Sequence, residues 1–273
     1  MRILCHSVFL CIVIAVTMGC AGSDARSISA EQYKAVLIHS HNDYLSSDPF
    51  WGAYNAGAAS IEADVWWLGD QLYVAHDREE ITPERTLLAM YLEPIRQALR
   101  DAGGKPIRDG RPLQLMVELK NEGEQSLDAL VRLLEKEDLV PCFDPETQPQ
   151  AVRLIITGDA IPIARWDSYP PYVFFDGRPG QALTDVQRSR APLISQSKKS
   201  FSSWTGLGNM KKADQERIRA AVRQAHESGS KFRLWGVPDT PRAWELTIRL
   251  GIDYINTDQP ARAAAWVNLK GNE

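Results

Sequence analysis

Short apolar and β-branched runs recur along the chain from residue 35 onward, and helical or loop-like sequence follows each of them. This alternation is typical of βα units that build a parallel sheet. Eight runs are predicted strands, the second with a further short run behind it: 35–40, 59–65 with 72–75, 113–119, 153–157, 172–175, 192–195, 232–236 and 253–256. Eight such units in about 250 residues predict a single (β/α)8 TIM barrel of the α/β class. An open doubly wound sheet is the alternative.

Helix start and stop signals lie between several of these strands. Thr82 followed by Pro83 predicts the beginning of a helix over 84–102, because the first is a good N-cap residue and the second suits the first helical position. The other predicted helices are 126–136, 213–227 and 241–250. No linker, low-complexity tract or repeat divides the chain, so we expect one domain.

The first twenty residues differ in pattern from the rest. A charged start, an apolar run over 3–16 and small residues before Cys20 have the order of a secretory signal. The run is shorter than the roughly 20 residues that span a bilayer. Its end resembles a bacterial lipoprotein signal, with plain cleavage near 23–25 or an uncleaved anchor as alternatives. We expect an exported protein of the bacterial cell envelope or periplasm, lipid-anchored through Cys20, divided into a signal peptide (1–19), a tether (20–34) and a barrel (35–268).

Composition, charge and cysteine count further limit the class of protein and its possible partners. The 273 residues are 44% hydrophobic and 24% charged, which is the ordinary globular ratio. Lys and Arg number 31 against 35 Asp and Glu, a net charge of −4, so the chain offers no basic field for nucleic acid. Cys5, Cys11 and Cys20 lie in the leader and only Cys142 lies beyond it, which leaves no disulfide framework. We expect a monomer without a nucleic-acid partner and without membrane contact other than the anchor.

Acidic side chains lie at the ends of two predicted strands. Glu62 and Asp64 are one residue apart, so both point to the same face of an extended strand, here the barrel interior. Two carboxylates on one interior face stay ionised only if a cation or a basic partner lies between them. Glu118 on the next strand and the Asn42 amide oxygen complete a set of hard oxygen ligands that suits Ca²⁺ or Mg²⁺. The alternative is pairing with Lys120 or an arginine.

Histidines lie beside these acids. His41 and His76 both end predicted strands, the pairing needed for one general base and one general acid. His39 shares the face of His41, as a packing or supporting residue or as a direct participant. The His39-Ser40-His41 run also begins zinc amidohydrolases, but a nitrogen-rich zinc shell needs further histidines. After residue 76 the only histidine is His226, which lies on a predicted helix. This small number of histidines favours a metal site with oxygen ligands, in which the histidines are not metal ligands.

Several short motifs carry a family resemblance. The run S-H-N-D-Y-L at 40–45 is similar to the S-H-N-T-Y-L run of phosphoinositide-specific phospholipase C. E-A-D-V at 62–65 with H-D at 76–77 resembles the E-x-D-V and H-D pair of glycerophosphodiester phosphodiesterases. The closing pattern of those enzymes is matched at 233–237, 250–253 and 257–260. The chain therefore resembles the PLC-like phosphodiesterase superfamily over residues 38–260, most closely the branch with the altered-inheritance-of-mitochondria proteins of fungi.

The resemblance implies a function and a residue set. It implies a metal-dependent phosphoric diester hydrolase with a PLC-like TIM barrel, acting on a glycerophosphodiester- or phospholipid-like substrate by His/His acid–base catalysis. His41 is then the base or a phosphate contact and His76 the general acid. The metal ligands that it implies are Asn42, Glu62, Asp64 and Glu118, with Lys120 near the phosphate.

One departure and two alternatives accompany this expectation. Glycerophosphodiesterases have H-R-G where this chain has His41-Asn42-Asp43, so the phosphate-binding arginine is missing there. His39 and Trp235 are further candidates for the substrate site, Trp235 as an apolar wall for the alcohol or as a core residue. A catalytically weak barrel that binds phosphate-bearing ligands is the first alternative. A hydrolase of another bond, such as an amide, is the second, and the shortage of histidines disfavours it.

Overall fold

One sheet organises the molecule. The computed structural model describes residues 27–103, 113–148, 151–159 and 161–273. Over these residues the chain forms nine strands: β1 (Leu37–Ser40), β2 (Ser60–Leu68), β3 (Gln71–Val74), β4 (Gln114–Leu119), β5 (Arg153–Gly158), β6 (Val173–Gly177), β7 (Leu193–Ser197), β8 (Lys231–Trp235) and β9 (Tyr254–Thr257).

Eight of the strands close into a parallel barrel. Neighbours follow the order β1-β9-β8-β7-β6-β5-β4-β2, and β1 also pairs with β2, where His39 lies opposite Ser60. Strand β3 stands outside this ring and pairs antiparallel with the outer half of β2, from Val65–Val74 to Leu68–Gln71. The predicted TIM barrel is confirmed, and the β1–β2 pairing excludes the open sheet. All eight strands end at the same rim, where βα loops carry the chemistry of such barrels.

Helices cover the outside of the barrel. They are α1 (Ala30–Ala35), α2 (Trp51–Asn55), α3 (Glu93–Ala102), α4 (Gly123–Lys136), α5 (Asp185–Ser189), α6 (Lys212–Glu227), α7 (Pro241–Arg249) and α8 (Pro260–Gly271). Helix α4 shows why they pack: Leu127, Leu130 and Leu134 recur at the spacing of one helical face and are fully buried. The main apolar core therefore lies between strands and helices.

The barrel interior consists of two layers with different chemistry. Five strands point an apolar residue inward near the start: Leu37, Met116, Ile155, Leu193 and Tyr254, which pack into one small cluster. Two residues later each of these strands carries a polar side chain: His39, Glu118, Thr157, Ser195 and Asn256. Because side chains alternate along a strand, both members of each pair face the interior. The lower layer seals the barrel, and the polar layer lies toward the rim.

The helix predicted over 84–102 begins later than expected. The Val74 amide donates to the Arg85 carbonyl at 2.7 Å and Tyr73 forms a bridge with Thr86, so this segment is extended beside β3. A π-helical turn starts at Leu88, with the Ala89 amide on Thr86 Oγ1, and leads into α3. Thr86 thus replaces the predicted Thr82 as the capping residue, because pairing with β3 takes precedence. The other three predicted helices are confirmed to within three residues.

The N-terminal predictions fall mostly beyond the described part of the chain. Residues 1–19 and Cys20 lie outside it, so the leader is not described. Residues 30–34, predicted to be tether, form most of α1, whose Tyr33 ring contacts Trp266 of α8 at 5.6 Å between centroids. Cys142 is a buried free thiol. Among the described helices, none is long and apolar enough to cross a membrane.

Gly158 supports the close approach of β4 and β5, which leads to a prediction. Its φ is +90°, and a Cβ there would lie 2.3 Å from the Leu119 carbonyl oxygen, which is backbone and cannot move aside. We expect Gly158→Ala to lower the free energy of unfolding by about 3–5 kcal/mol, measured by urea denaturation.

Gly180 is the matched control. Its φ is +79°, but a Cβ there meets nothing within 4 Å. Gly180→Ala should therefore cost only the strain of a left-handed backbone, about 1 kcal/mol. Equal losses in the two variants would contradict the packing argument.

Candidate active site

Three carboxylates meet at the rim end of the barrel. β2 positions Glu62 and Asp64, and β4 positions Glu118 beside them, with Asp64 and Glu118 directly opposite in the strand register. Each offers one oxygen such that the three oxygens lie within 4.8 Å of one another. Glu62 and Asp64 are buried, and Glu118 is partly exposed. The convergence predicted from the spacing of these residues is therefore present, and the three could hold a metal ion.

The two oxygens of Asp64 have different surroundings. Oδ2 accepts from Tyr44 Oη at 2.8 Å and contacts His76 Nδ1 at 3.0 Å and Lys120 Nζ at 3.1 Å. Oδ1 is buried and has no hydrogen-bond partner among the described residues. A buried, unpaired carboxylate oxygen is costly unless something binds it. The free oxygen therefore fits a cation that takes hard oxygen ligands, such as Ca²⁺ or Mg²⁺.

Lys120 lies between two of the acids. Its Nζ is 3.1 Å from both Asp64 Oδ2 and Glu118 Oε1. Burial opposes the charge on Lys120, but the two carboxylates outweigh it, so its pKa is raised. Burial, with the charges of Asp64 and Glu62, raises the pKa of Glu118 against the opposing effect of Lys120. Both shifts indicate that negative charge is in excess at this cluster.

Glu62 is held from behind by two side chains. His39 Nε2 lies 2.5 Å and Arg233 Nη1 lies 2.7 Å from the same oxygen, Glu62 Oε2. Burial alone would raise the pKa of Glu62, but Arg233 and His39 outweigh it and hold that pKa well below its ordinary value. Glu62 therefore stays ionised inside the barrel, and its other oxygen is left for a ligand.

His39 is neutral and buried. Burial, followed by the charge of Arg233, lowers its pKa to about 4. His39 Nδ1 lies 2.8 Å from Ser60 Oγ, which also accepts from Gln114 Nε2. His39 Nε2 lies 2.5 Å from Glu62 Oε2 and 2.7 Å from Arg233 Nη1. The His39 ring is fully buried behind Glu62, which is the supporting position, one of the two roles expected for it.

Arg233 was not predicted as a site residue, although it lies in the 233–237 motif. Its Nε donates to Ser195 Oγ at 3.0 Å, and its Nη1 donates to Asn256 Oδ1 at 3.2 Å as well as to Glu62. Nη2 lies 4.0 Å from Asp176 Oδ2. Its position two residues before Trp235 on β8 was the available signal, since that spacing predicts a shared face. Its partners come from strands far apart in sequence.

His41 lies at the rim beside an acid that was also not predicted. Its Nδ1 is 2.7 Å from Asp258 Oδ1, which leaves Nε2 directed elsewhere. Burial disfavours the charged ring, but the hydrogen bond with Asp258 and the charge of Glu62 outweigh it, so the pKa of His41 is raised. A carboxylate on Nδ1 fixes the tautomer and orientation of the ring, as in acid–base catalysis generally.

Tyr44 links the remaining polar side chains. Its hydroxyl lies 3.0 Å from Asn42 Oδ1 and 3.2 Å from His76 Nδ1, in addition to its bond with Asp64. Burial and the charge of Asp64 raise the pKa of Tyr44, so the phenol remains a donor. Asn42 has a left-handed backbone with φ of 48°, a conformation that asparagine tolerates well. Tyr44 was visible in the 40–45 motif, but no residue pattern indicated this bridging position.

The predicted residues fall into three groups in space. Hydrogen bonds and ion pairs of the described chain join five of them through Tyr44 and Lys120: Asn42, Asp64, His76, Glu118 and Lys120. Glu62 joins this group through the acidic cluster, where one oxygen from each of the three acids lies within 4.8 Å of the others. His41 lies at the end of β1, on the same rim, with Asp258 as its partner. Trp235 ends β8 with 40% of its surface exposed, and no ion pair or hydrogen bond of the described residues ties its side chain to the acids.

A parallel barrel whose strand ends carry an acidic triad and histidines defines a class, the PLC-like phosphodiesterase barrels. A family model described as an AIM6-like phosphodiesterase domain matches residues 27–176, more than half of the chain. The chain belongs to this family. A second model, described as the glycerophosphoryl diester phosphodiesterase family, matches residues 231–261, which contain Arg233 and Asp258.

Named relatives agree with that assignment, and a solved structure shares the fold. An altered inheritance of mitochondria protein 6 homolog from Arthroderma benhamiae is 29% identical, with 82% of this chain and 81% of the relative covered. The altered inheritance of mitochondria protein 6 of Eremothecium gossypii is 25% identical, with 81% of this chain and 67% of the relative covered. A glycerophosphodiester phosphodiesterase from Parabacteroides distasonis shares the fold, with a TM-score of 0.53, 16% identity and coverage of 86% and 97%.

The expected location is wrong. The sequence predicted a bacterial cell-envelope or periplasmic protein, but the curated relatives are altered-inheritance-of-mitochondria proteins of yeasts and moulds. That prediction depended on an apolar run followed by Gly19 and Cys20. Such a short pattern consists only of apolar and small residues, and it does not identify the organism or the compartment.

Arg233 should be a major determinant of stability. Arg233→Met would leave Glu62 buried beside a side chain with no positive charge, and breaking a buried ion pair in this way costs about 3–5 kcal/mol. We expect that loss in the free energy of unfolding, measured by urea denaturation with EDTA present. Arg188→Met is the control, because Arg188 pairs with the fully exposed Asp185 and should change stability by less than about 1 kcal/mol. Similar losses would contradict the role of Arg233.

Proposed function

We propose that this protein is a metal-dependent phosphoric diester hydrolase that acts on a glycerophosphodiester- or phospholipid-like substrate. One observation carries the proposal: the unpaired, buried Asp64 Oδ1 lies in a triad of carboxylates, and His76 contacts the same residue. Most buried carboxylate oxygens are paired within the protein, so an unpaired one beside two further carboxylates favours a bound cation. The family membership supports phosphodiesterase chemistry, and the site geometry supports the residue roles given below.

The cation site consists of oxygen donors. Glu62, Asp64 and Glu118 would hold Ca²⁺ or Mg²⁺, with Asn42 as a neutral ligand next to Tyr44. A divalent cation there would supply positive charge to a phosphate oxygen and offset the charge that develops during diester cleavage. His39 and Arg233 keep Glu62 ionised and oriented for this role from the buried side.

His41 is the proposed general base. Asp258 accepts from Nδ1, so Nε2 is the nitrogen with a free lone pair, and it would take the proton of the attacking hydroxyl. Asp258 also favours the protonated ring that forms in that step, as the raised pKa of His41 reflects. The attacking hydroxyl belongs either to the substrate alcohol, through a cyclic phosphate, or to water.

His76 is the proposed general acid. Asp64 and Tyr44 both contact its Nδ1, which leaves Nε2 to deliver a proton to the departing alkoxide. About half of the His76 side chain is exposed, so a ligand can reach the ring. Lys120 would add a positive contact for the phosphate from between Asp64 and Glu118, and Trp235 would form an apolar wall at the rim.

A phosphate-binding barrel without turnover is the alternative function. The observation in its favour is that Lys120 is already paired with two carboxylates, while the position of the family arginine is Asn42. A binding protein of this kind would bind a phosphodiester with an affinity like that of the proposed enzyme. It would differ from the enzyme because it would release no hydrolysis product.

The turnover of the protein and of its two histidine variants tests the proposed enzyme function directly. We expect turnover of bis(p-nitrophenyl) phosphate by the purified protein, loss with EDTA and recovery with Ca²⁺ or Mg²⁺. His41→Ala and His76→Ala should each lower kcat by about 100-fold or more with the barrel intact by circular dichroism. His226→Ala is the control, because His226 pairs with Asp253 away from the acids. No turnover by a folded protein with any divalent ion would leave the binding alternative, and turnover unaffected by EDTA would exclude the cation.

Cation binding can be measured without turnover. Asp64→Asn should weaken Ca²⁺ or Mg²⁺ binding in titration calorimetry by about 100-fold, since even outer-shell changes cost about 10–100-fold. Asp144→Asn removes an acid from a surface turn and should leave the affinity unchanged. If the two variants bind the cation alike, the ion seen by calorimetry is held elsewhere.

A further inference from the structure

The loop after β7 has an unusual charge pattern. We call residues 198–212 the lysine-flanked loop, because it carries two lysines at each end, Lys198, Lys199, Lys211 and Lys212. No Asp or Glu lies between 198 and 213, in a chain whose net charge is −4. The loop is therefore a locally basic segment of an acidic protein. The proposed function does not use it.

The tip of this loop holds an apolar side chain in solvent. Leu207 is 83% exposed, between Gly206 with φ of 99° and Gly208 with φ of 61°. The indole Nε1 of the buried Trp204 donates to the Leu207 carbonyl at 2.9 Å and contacts that of Gly208 at 3.3 Å. These bonds fix the turn that points Leu207 outward. Its exposure is thus a property of an ordered turn.

The loop packs against the segment that follows β8. A Cβ on Gly206 would come within 3.1 Å of Pro238, and Arg242 donates to Asn209 Oδ1 at 2.9 Å. Trp235, 40% exposed, ends β8 and thus precedes this segment in the chain. The Leu207 tip and Trp235 therefore lie on neighbouring loops at the rim that also carries the acidic triad.

Most of the lysines at the loop ends are available to a partner. Lys199, Lys211 and Lys212 are exposed, and none makes an ion pair with a residue that the structure describes. Lys198 is buried, and its Nζ donates to the Trp204 carbonyl, so it braces the loop from inside. The first acid beyond the loop, Asp214, is already bound by Arg217 and Ser202. No ion pair within the described part of the chain therefore neutralises these three exposed lysines.

Free lysines around an exposed leucine fit one kind of partner. Lysines are attracted to anionic lipid headgroups, and an apolar tip gains by entering the interfacial region beneath them. A soluble polyanion would use the lysines but would give Leu207 nothing to bury. We propose that the lysine-flanked loop binds the surface of an anionic lipid bilayer, with Leu207 inserted and Lys199, Lys211 and Lys212 on lipid phosphates. This surface goes beyond the proposed function and does not require turnover.

Vesicle binding by the full chain tests the proposal. We expect sedimentation with vesicles of 70% phosphatidylcholine and 30% phosphatidylserine at least 10-fold tighter than with phosphatidylcholine alone, and weakening as salt rises. Leu207→Ser should lower the affinity for the anionic vesicles about 10-fold, and the triple variant Lys199→Gln, Lys211→Gln, Lys212→Gln by 10-fold or more. Leu269→Ser is the matched control, because Leu269 is 62% exposed at the far end of α8, and it should change nothing.

A local readout separates this loop from the apolar N-terminal run. Amide hydrogen exchange at residues 205–208 should slow on anionic vesicles and not on neutral ones, while exchange near residue 269 stays the same. No binding, equal binding to both vesicle types, or binding in which Leu207→Ser matches Leu269→Ser would overturn the proposal. So would vesicle binding that leaves exchange at the loop tip unchanged. Retained turnover of bis(p-nitrophenyl) phosphate by Leu207→Ser would show that the variant is folded.

Discussion

The need to keep several carboxylates ionised inside a closed barrel governs the rest of this structure. Glu62 and Asp64 are almost fully buried, and removing a carboxylate from water is expensive unless opposite charge and hydrogen bonds compensate it. Arg233 and Lys120 supply two positive charges against three carboxylates, counting Glu118. The cluster keeps an excess of negative charge and one unpaired oxygen on Asp64. That imbalance is what a divalent cation would relieve.

The two-residue period of the strands explains why so much of this site could be predicted. Once β2 is recognised, Glu62 and Asp64 must share a face, and the pairing of β2 with β4 brings Glu118 opposite Asp64. Strand ends of a parallel barrel lie on one rim, which places His41 near the acids. The antiparallel return of β3 along β2, with Val74 opposite Val65, brings His76 back beside Asp64. These inferences use local geometry and one architectural rule. They needed no knowledge of contacts between distant residues.

What could not be predicted depends on such contacts. Arg233 lies 171 residues from Glu62 in sequence, and Asp258 lies 217 residues from His41. A single sequence does not reveal which residues pair over such distances. Arg233 and Asp258 were therefore recognisable only as members of motifs. The sequence also left two roles open for His39, for the same reason. Its alternation with His41 indicated a strand face, but only the packing of Arg233 and Ser60 around the ring shows that it supports Glu62 from the buried side.

Charge distribution also bears on how a phosphate-bearing substrate would reach the rim. A net charge of −4 repels phosphate at long range, and the two cationic side chains nearest the triad are already engaged, Arg233 with Glu62 and Lys120 with Asp64 and Glu118. Local attraction must therefore come from a bound cation or from basic side chains that remain unpaired. The exposed lysines of the lysine-flanked loop are of the second kind, and they stand on the same rim. If the proposed function and the proposed bilayer contact both hold, a diester in a lipid headgroup would be presented directly to the mouth of the barrel, and the repulsion felt by a free phosphodiester in solution would matter less.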